Sequence, residues 1–327
     1  MRTILRSRAV LATLALTTTL GLTACGGERE SDEGGPYNRG RLSIATGNTT
    51  GVYYQLGGGY ADVISKNVRG YQATAEATGA SIENIQRVVR GDSDIAFSLA
   101  DVAGEAATGK HSFDSPQPIR ALARIYDNYV HVIARADSGI RRVADMRGKR
   151  VSTGSPNSGT EAMAVRLLEA AGINPKSGIR RQALSLPETV QGMKDGTIDA
   201  MVWSGGLPTS GITDLMTSLR SRAVFVPLDR ELPRLQARYG QIYQPTTIRR
   251  NVYKTPRPVP TILVPNVLIV SPTMPDDLAF QLAKVIFDRR QDLVRVHPEA
   301  ENIDRARAPR TEPIPLHPGA RRYYSGG

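Results

Sequence analysis

Three short loops carry most of the chemistry this sequence offers: "TGNTTG" (46–51), "TGAS" (78–81) and "GSPNSGT" (154–160). Each lies between a predicted strand and a predicted helix. Glycine there lets a ligand approach the main chain, and serine and threonine hydroxyls add adjustable donors. The free N–H groups of a helix start, at the positive end of its dipole, suit a carboxylate or phosphate. A hydrogen bond to a charged ligand contributes about 1.5–3 kcal/mol. Micromolar affinity needs about 8 kcal/mol, so four or five such bonds would hold a small anion without an arginine clamp.

Other chemistries fail on spacing. "GSPNSGTE" (154–161) has the outer glycines of a phosphate loop, but Thr160-Glu161 stands where a lysine should reach the terminal phosphates. Gly47 and Gly51 do not form G-x-G-x-x-G, so no nucleotide cofactor is expected. There is no G-x-S-x-G elbow for a serine nucleophile. The four histidines, His111, His131, His297 and His317, form no H-E-x-x-H, and the single cysteine leaves no thiolate pair for a metal. Asp92/Asp94 and Asp195/Asp199 read as cap and turn residues around Gly91 and Gly196. No catalytic unit assembles, and binding remains.

The elements that must position these loops come in two rounds. Strands are expected at 42–46, 72–78, 95–99, 119–126 and 129–135, with helices at 52–63 and 81–90. The second round has strands at 149–153 and 198–203 and helices at 160–171 and 187–194. "GDSDIAFS" (91–98) and "GTIDAMVW" (196–203) share one design: a helix-ending glycine, an aspartate, then an apolar strand. This alternation predicts an α/β fold with a mainly parallel sheet in two lobes of like construction. A long helix over 275–297, following "NVLIVS" (266–271), would return to the first lobe. The lobes would then be 41–128 with 259–327, and 129–258, joined by crossing strands near 129–135 and 260–270 that act as a hinge.

The ends add location. Arg2, Arg6 and Arg8 precede a 14-residue apolar run, Ala9 to Leu22, too short to span a bilayer, which needs about 20 residues. Residues 1–24 therefore read as a signal peptide. The only cysteine, Cys25, ends "LTAC", which resembles the bacterial lipobox, so it is expected to carry a lipid anchor. Residues 25–40 are rich in glycine and acidic groups and read as a tether. The net charge is +11, or +8 with the three leader arginines set aside, and the arginines are scattered rather than massed. That argues against a nucleic-acid partner.

Longer stretches carry a resemblance. "TGNTTGVYYQLGGGYADVI", "ATGASIENIQRVVRGDSDIAFSLADVAGEAATG", "RADSGIRRVADMRGKRVSTGSPNSGTEAMAVRLLEAAGI" and "PIPLHPGARRYY" resemble the TAXI family over nearly all of 41–324. That family comprises the extracytoplasmic solute-binding subunits of tripartite ATP-independent periplasmic (TRAP) transporters. The resemblance implies a two-lobed periplasmic-binding-protein (type II) fold closing on a small carboxylate such as glutamate, with TRAP permease subunits as partners and no enzymatic activity. Carried over by motif, the site would use Thr46, Gly47, Gly51, Tyr53 and Tyr54, then Ser81, Asn84, Ser98 and Asp101. The second lobe would add Ser155, Ser158, Gly159, Thr160, Trp203 and Ser204. Many family members have a smaller apolar residue near Trp203, which implies a narrower pocket here. Of the two tyrosines, Tyr54 is expected to touch the ligand and Tyr53 to pack. An alternative role is a sensing lipoprotein that signals to a membrane receptor kinase.

Overall fold

The structure is a computed structural model that describes Tyr37 and residues 40–326. The leader, Cys25 and nearly all of the tether lie outside the described residues. The first round is β1 (Arg41–Ala45), α1 (Val52–Asn67), β2 (Gln72–Glu76), α2 (Ser81–Arg90), β3 (Ile95–Leu99) and α3 (Ala100–Thr108), leading into β4 (Arg120–Arg135). The second is β5 (Arg150–Ser152), α4 (Gly159–Ala170), β6 (Arg180–Gln182), α5 (Leu186–Asp195) and β7 (Ala200–Gly205). There follow α6 (Ser210–Leu219), β8 (Ala223–Phe225), α7 (Leu232–Tyr239), β9 (Gln244–Ile248) and α8 (Arg250–Tyr253). The chain ends with β10 (Val259–Val270), α9 (Asp276–Asp288), α10 (Arg290–Val296) and α11 (Pro318–Tyr324).

The strands form one sheet in the order β2-β1-β3-β10-β4-β7-β5-β6, with β8 on β4 and β9 on β10. β1 pairs in parallel with β2 and β3, and β5 with β6 and β7. These are the two rounds foreseen in the sequence. The strands between them are antiparallel: β10 with β3 and β4, and β4 with β7. The sheet is therefore mixed, where a mainly parallel one was expected. β4 and β10 are long because each runs through both halves of the sheet. Val267–Val270 pairs with the start of β4, while Tyr129–Ala134 pairs with β7.

β4 also corrects a sequence expectation, since the two strands foreseen at 119–126 and 129–135 are one. Asp127 and Asn128 read as a break, but their polar groups are satisfied inside the sheet. Asp127 pairs with Arg124 at 2.9 Å, and Asn128 Oδ1 accepts from Asn266 Nδ2 at 2.9 Å. Asn266 lies where the β10 register shifts against β4. The helix foreseen at 275–297 is in fact two, interrupted at Arg289, whose φ of −113° and ψ of 22° depart from helical values. α3 was not foreseen: all but its last two residues are buried, so "ADVAGEAAT" shows no polar face to give it a period.

Three apolar clusters hold the layers. One face of the first half packs Leu56, Tyr60 and Ile64 of α1 against Leu282 and Ile286 of α9. Full burial of each such side chain contributes about 1.5–3 kcal/mol. The second half has its own cluster around Leu186, Met201 and Leu215. The remaining cluster contains residues of both halves, including Ile85, Leu99 and Val102 with Val151, Met163 and Leu167. The halves are thus closed on one another. Within "GGG" (57–59), Gly57 and Gly59 serve packing: a Cβ at Gly59 would lie 2.8 Å from Val296 Cγ2, and one at Gly57 would strike Thr46.

Candidate functional site

A narrow cleft lies between the halves, lined from one side by the β1–α1 and β2–α2 loops and from the other by the β5–α4 loop and the end of β7. Tyr126 and Asn128 of β4 contribute to its wall. None of the lining residues is charged. Among the described residues, no group of three or more His, Cys, Asp or Glu side chains could hold a metal ion.

Two helix starts face this space. α1 begins at Val52 after Gly51, with no side-chain cap and no acidic residue in its first turn. Its first N–H groups therefore have no acceptor within the helix. α4 begins at Gly159, capped only by Ser158, whose Oγ accepts from Glu161 N at 2.9 Å. The amides of Gly159 and Thr160 precede that bond. Thr160 Oγ1 in turn accepts from Ser204 N at 3.2 Å, which ties the α4 start to β7.

α2 behaves differently. The amides of Ile82 and Glu83 donate to Asn157 O across the cleft at 3.1 and 3.0 Å, and Gly79 N donates to Glu83 Oε2 at 2.7 Å. This tip joins the halves and is spent on protein. Ser81 Oγ accepts from Leu99 N at 3.1 Å. The approach here is so close that a Cβ on Gly159 would lie 2.6 Å from both Ser81 Oγ and Leu99 Cδ1. Gly159 is thus required by packing across the seam.

Asn48, which the sequence reading missed, spans the same seam. Its Nδ2 donates to Ser155 Oγ at 3.2 Å, and its Oδ1 accepts from Leu186 N at 2.6 Å. Nearby, Thr50 O accepts from Ser210 Oγ at 2.8 Å.

The walls are aromatic. Tyr53 donates to Asn266 Oδ1 at 2.6 Å, and its ring lies 5.1 Å from that of Phe97. Trp203 rests against Gly51 and donates from Nε1 to Thr209 Oγ1 at 3.2 Å. Two other lining groups are buried without any hydrogen-bond partner: the Tyr126 hydroxyl and Ser204 Oγ. Burial pushes the hydroxyls of Tyr53 and Tyr126 well above the usual tyrosine pKa, so both are neutral donors. Buried polar atoms normally find partners, and an unmade bond costs about 1–3 kcal/mol.

Of the residues expected from sequence, the structure places Gly47, Gly51, Tyr53, Ser81, Ser155, Ser158, Gly159, Thr160, Trp203 and Ser204 on the cleft. Five do not line it. Thr46 Oγ1 donates to Glu76 O, and Ser98 Oγ donates to Leu99 O at 3.0 Å. Asn84 Nδ2 bonds Thr46 O at 2.7 Å and Phe97 O at 2.8 Å, fastening α2 to the strand ends. Tyr54 is turned about 100° around α1 from Tyr53, so the choice between them is reversed: Tyr53 lines the cleft. Asn48, Leu99, Tyr126 and Asn128 line it without having been foreseen. Asn48 sat inside a quoted loop as the one side-chain amide. Tyr126 and Asn128 could not be found without knowing that β4 passes behind the cleft.

Asp101 has another task. It meets Arg166 Nη1 of α4 at 2.5 Å and accepts from Tyr243 OH at 2.6 Å, while Glu105 also pairs with Arg166. Arg166 is 4% exposed. Burial opposes its charge, but Asp101, Tyr243 and Glu105 outweigh that and hold its pKa above the usual arginine value. One cation faces two carboxylates, and burial raises the Glu105 pKa despite the ion pair. The cluster joins α3 to α4 and the segment before β9.

With this geometry in place, comparison with known proteins defines the class. A binding protein component of an ABC phosphonate transporter from Pseudomonas aeruginosa superposes with a TM-score of 0.57 at 13% identity, over 81% of this chain and 82% of that one. A Prochlorococcus marinus protein in complex with methylphosphonate gives 0.56 at 12% identity, over 85% and 96%. A Xanthomonas citri protein bound to ATP gives 0.51 at 15% identity, over 88% and 95%. The fold is that of the two-lobed periplasmic binding proteins. The chain matches the NMT1-like family over residues 44–326 and belongs to it.

Proposed function

We propose that this protein is an exported solute-binding protein that captures a small organic anion between its lobes and delivers it to a membrane permease. The lobes are 41–128 with 259–327, and 129–258. One observation carries the reading: a helix start from each lobe, α1 without a side-chain cap and α4 capped by Ser158 alone, faces a cleft whose lining contains no charged side chain. Donors fixed on two bodies favour the shut form when an anion bridges them, so capture is a population shift about β4 and β10. The fold shared with transporter binding proteins supports this role. The TAXI resemblance makes the permease one of the TRAP type. Export and a lipid on Cys25 would hold the protein at the outer face of the cytoplasmic membrane. The chain performs no catalysis.

A thermal-shift screen against carboxylates, phosphonates and sulfonates tests the proposal. Ligand at 100 times its Kd stabilises by about 2.7 kcal/mol, which raises the midpoint by about 5 °C or more in a domain of this size. No rise with any small anion would contradict it.

A further inference from the structure

We infer that the ligand of this cleft carries a single negative charge, no ammonium group, and an oxygen on the carbon skeleton beside its anionic head: an oxo- or hydroxy-monocarboxylate rather than an amino acid or a dicarboxylate. This rests on the solute-binding reading and narrows it.

The charge count is the first ground. Each helix start presents about half a positive charge, and Glu161 in the first turn of α4 is paired with Arg181, so α1 and α4 together complement about one negative charge. No arginine, lysine or histidine lines the cleft to neutralise a second carboxylate, and no aspartate or glutamate lines it to neutralise an ammonium. An ammonium would also sit before two positive helix ends. Burying an unpaired charge costs several kcal/mol. Glutamate, which has two carboxylates and an ammonium, leaves both demands unmet.

The second ground is independent of the helix starts. The Tyr126 hydroxyl and Ser204 Oγ are buried, line the cleft and have no partner. Tyr126 comes from β4 and Ser204 from β7, so ligand oxygens bonded to them would join two strands of the wall. Asn128 adds to this side: its Oδ1 is occupied by Asn266, which leaves its NH2 group to donate. Three neutral donors at this wall suit an uncharged oxygen, and a bare alkyl chain would leave them unsatisfied.

Calorimetric titration of the purified protein with an isosteric series tests the inference. The probes are 2-hydroxybutyrate, 2-oxobutyrate, butyrate, 2-aminobutyrate and 2-hydroxybutyramide, with glutamate and succinate alongside. The hydroxy and oxo acids should bind tightest. The amino acids and succinate should be weaker by about 100-fold or more, and butyrate and the amide by about tenfold or more. In a Tyr126→Phe/Ser204→Ala protein, the preference for 2-hydroxybutyrate over butyrate should disappear. The wild-type series stands alone if that variant fails to fold. Tightest binding by 2-aminobutyrate, glutamate or succinate would overturn the inference and leave the solute-binding role intact. Binding of none of these anions would overturn the inference, and the solute-binding role would then be decided by the phosphonates and sulfonates of the thermal-shift screen.

Discussion

Around Arg166, each of the four buried side chains that meet between α3 and α4 has a partner. Around Tyr126 and Ser204, elsewhere in the same seam between the lobes, two buried hydroxyls have none. The first place is charged and complete, with Arg166, Asp101 and Glu105 each less than a tenth exposed. The second is neutral and incomplete and lies on the hollow of the cleft. Both join the lobes, but a satisfied cluster has nothing left to offer a ligand, whereas unmet donors are a binding site waiting for an acceptor. The difference teaches where to look for recognition: at the polar groups that folding has left unpaired, not at the strongest charges.

The contrast can be broken most severely at Arg166. Arg166→Ala leaves Asp101 and Glu105 buried without a cation and should lower the unfolding free energy by about 3–5 kcal/mol in a urea titration. A loss under about 1 kcal/mol would mean that the cluster holds nothing.

A second satisfied group sharpens the same side. His131 is wholly buried on β4, with Nδ1 2.9 Å from Tyr129 O and Nε2 3.1 Å from the Tyr253 hydroxyl. Burial pushes its pKa down to about 4. A folded value below the unfolded one means that the unfolded chain takes up the proton first. The stability contributed by neutral His131 is therefore full above about pH 6.5 and is lost as pH falls toward 4. Between pH 7 and pH 5 this amounts to about 2 kcal/mol. His131→Gln should flatten the measured pH slope by that amount, while an unchanged slope would assign the loss to His297 and His317, which burial also lowers.

On the hollow side the effects move from stability to binding. Gly159→Ala sets a methyl against Leu99 and Ser81 and should weaken ligand binding about tenfold or more, because a shift of a few tenths of an ångström at the seam misplaces the α4 amides. The same overpacking should lower the unfolding free energy of the ligand-free protein by about 1–3 kcal/mol. The smallest effect belongs to Tyr126→Phe, which removes an unpartnered buried hydroxyl and should raise the unfolding free energy of the ligand-free protein by about 1 kcal/mol. A loss of 2 kcal/mol would show that the hydroxyl already has a partner.

The sequence made one class of feature legible and hid another. Loops at strand-to-helix junctions declare themselves by glycine and hydroxyl content, and Gly47, Gly51, Ser155 and Thr160 of those loops line the cleft. Ser81 to Arg90 was readable as a helix to the residue because an apolar stripe precedes a left-handed Gly91. What long-range packing decides was hidden. Asp101 was expected as a ligand group from the family motif, and only the fold brings Arg166 against it. Asn84 carries two amide hydrogens into three carbonyls that no local pattern announces. Tyr53 and Tyr54 are adjacent and chemically identical, so their roles depend on the rotation of α1 alone.

The central claim is that the starts of α1 and α4 share one anion. A crystal structure with the tightest-binding organic anion tests it most directly. The account predicts the anionic head within about 3 Å of the Val52 or Tyr53 amide on one side and the Gly159 or Thr160 amide on the other. A ligand lodged in this cleft with its charge on neither helix start, or lodged elsewhere against an arginine, would contradict it.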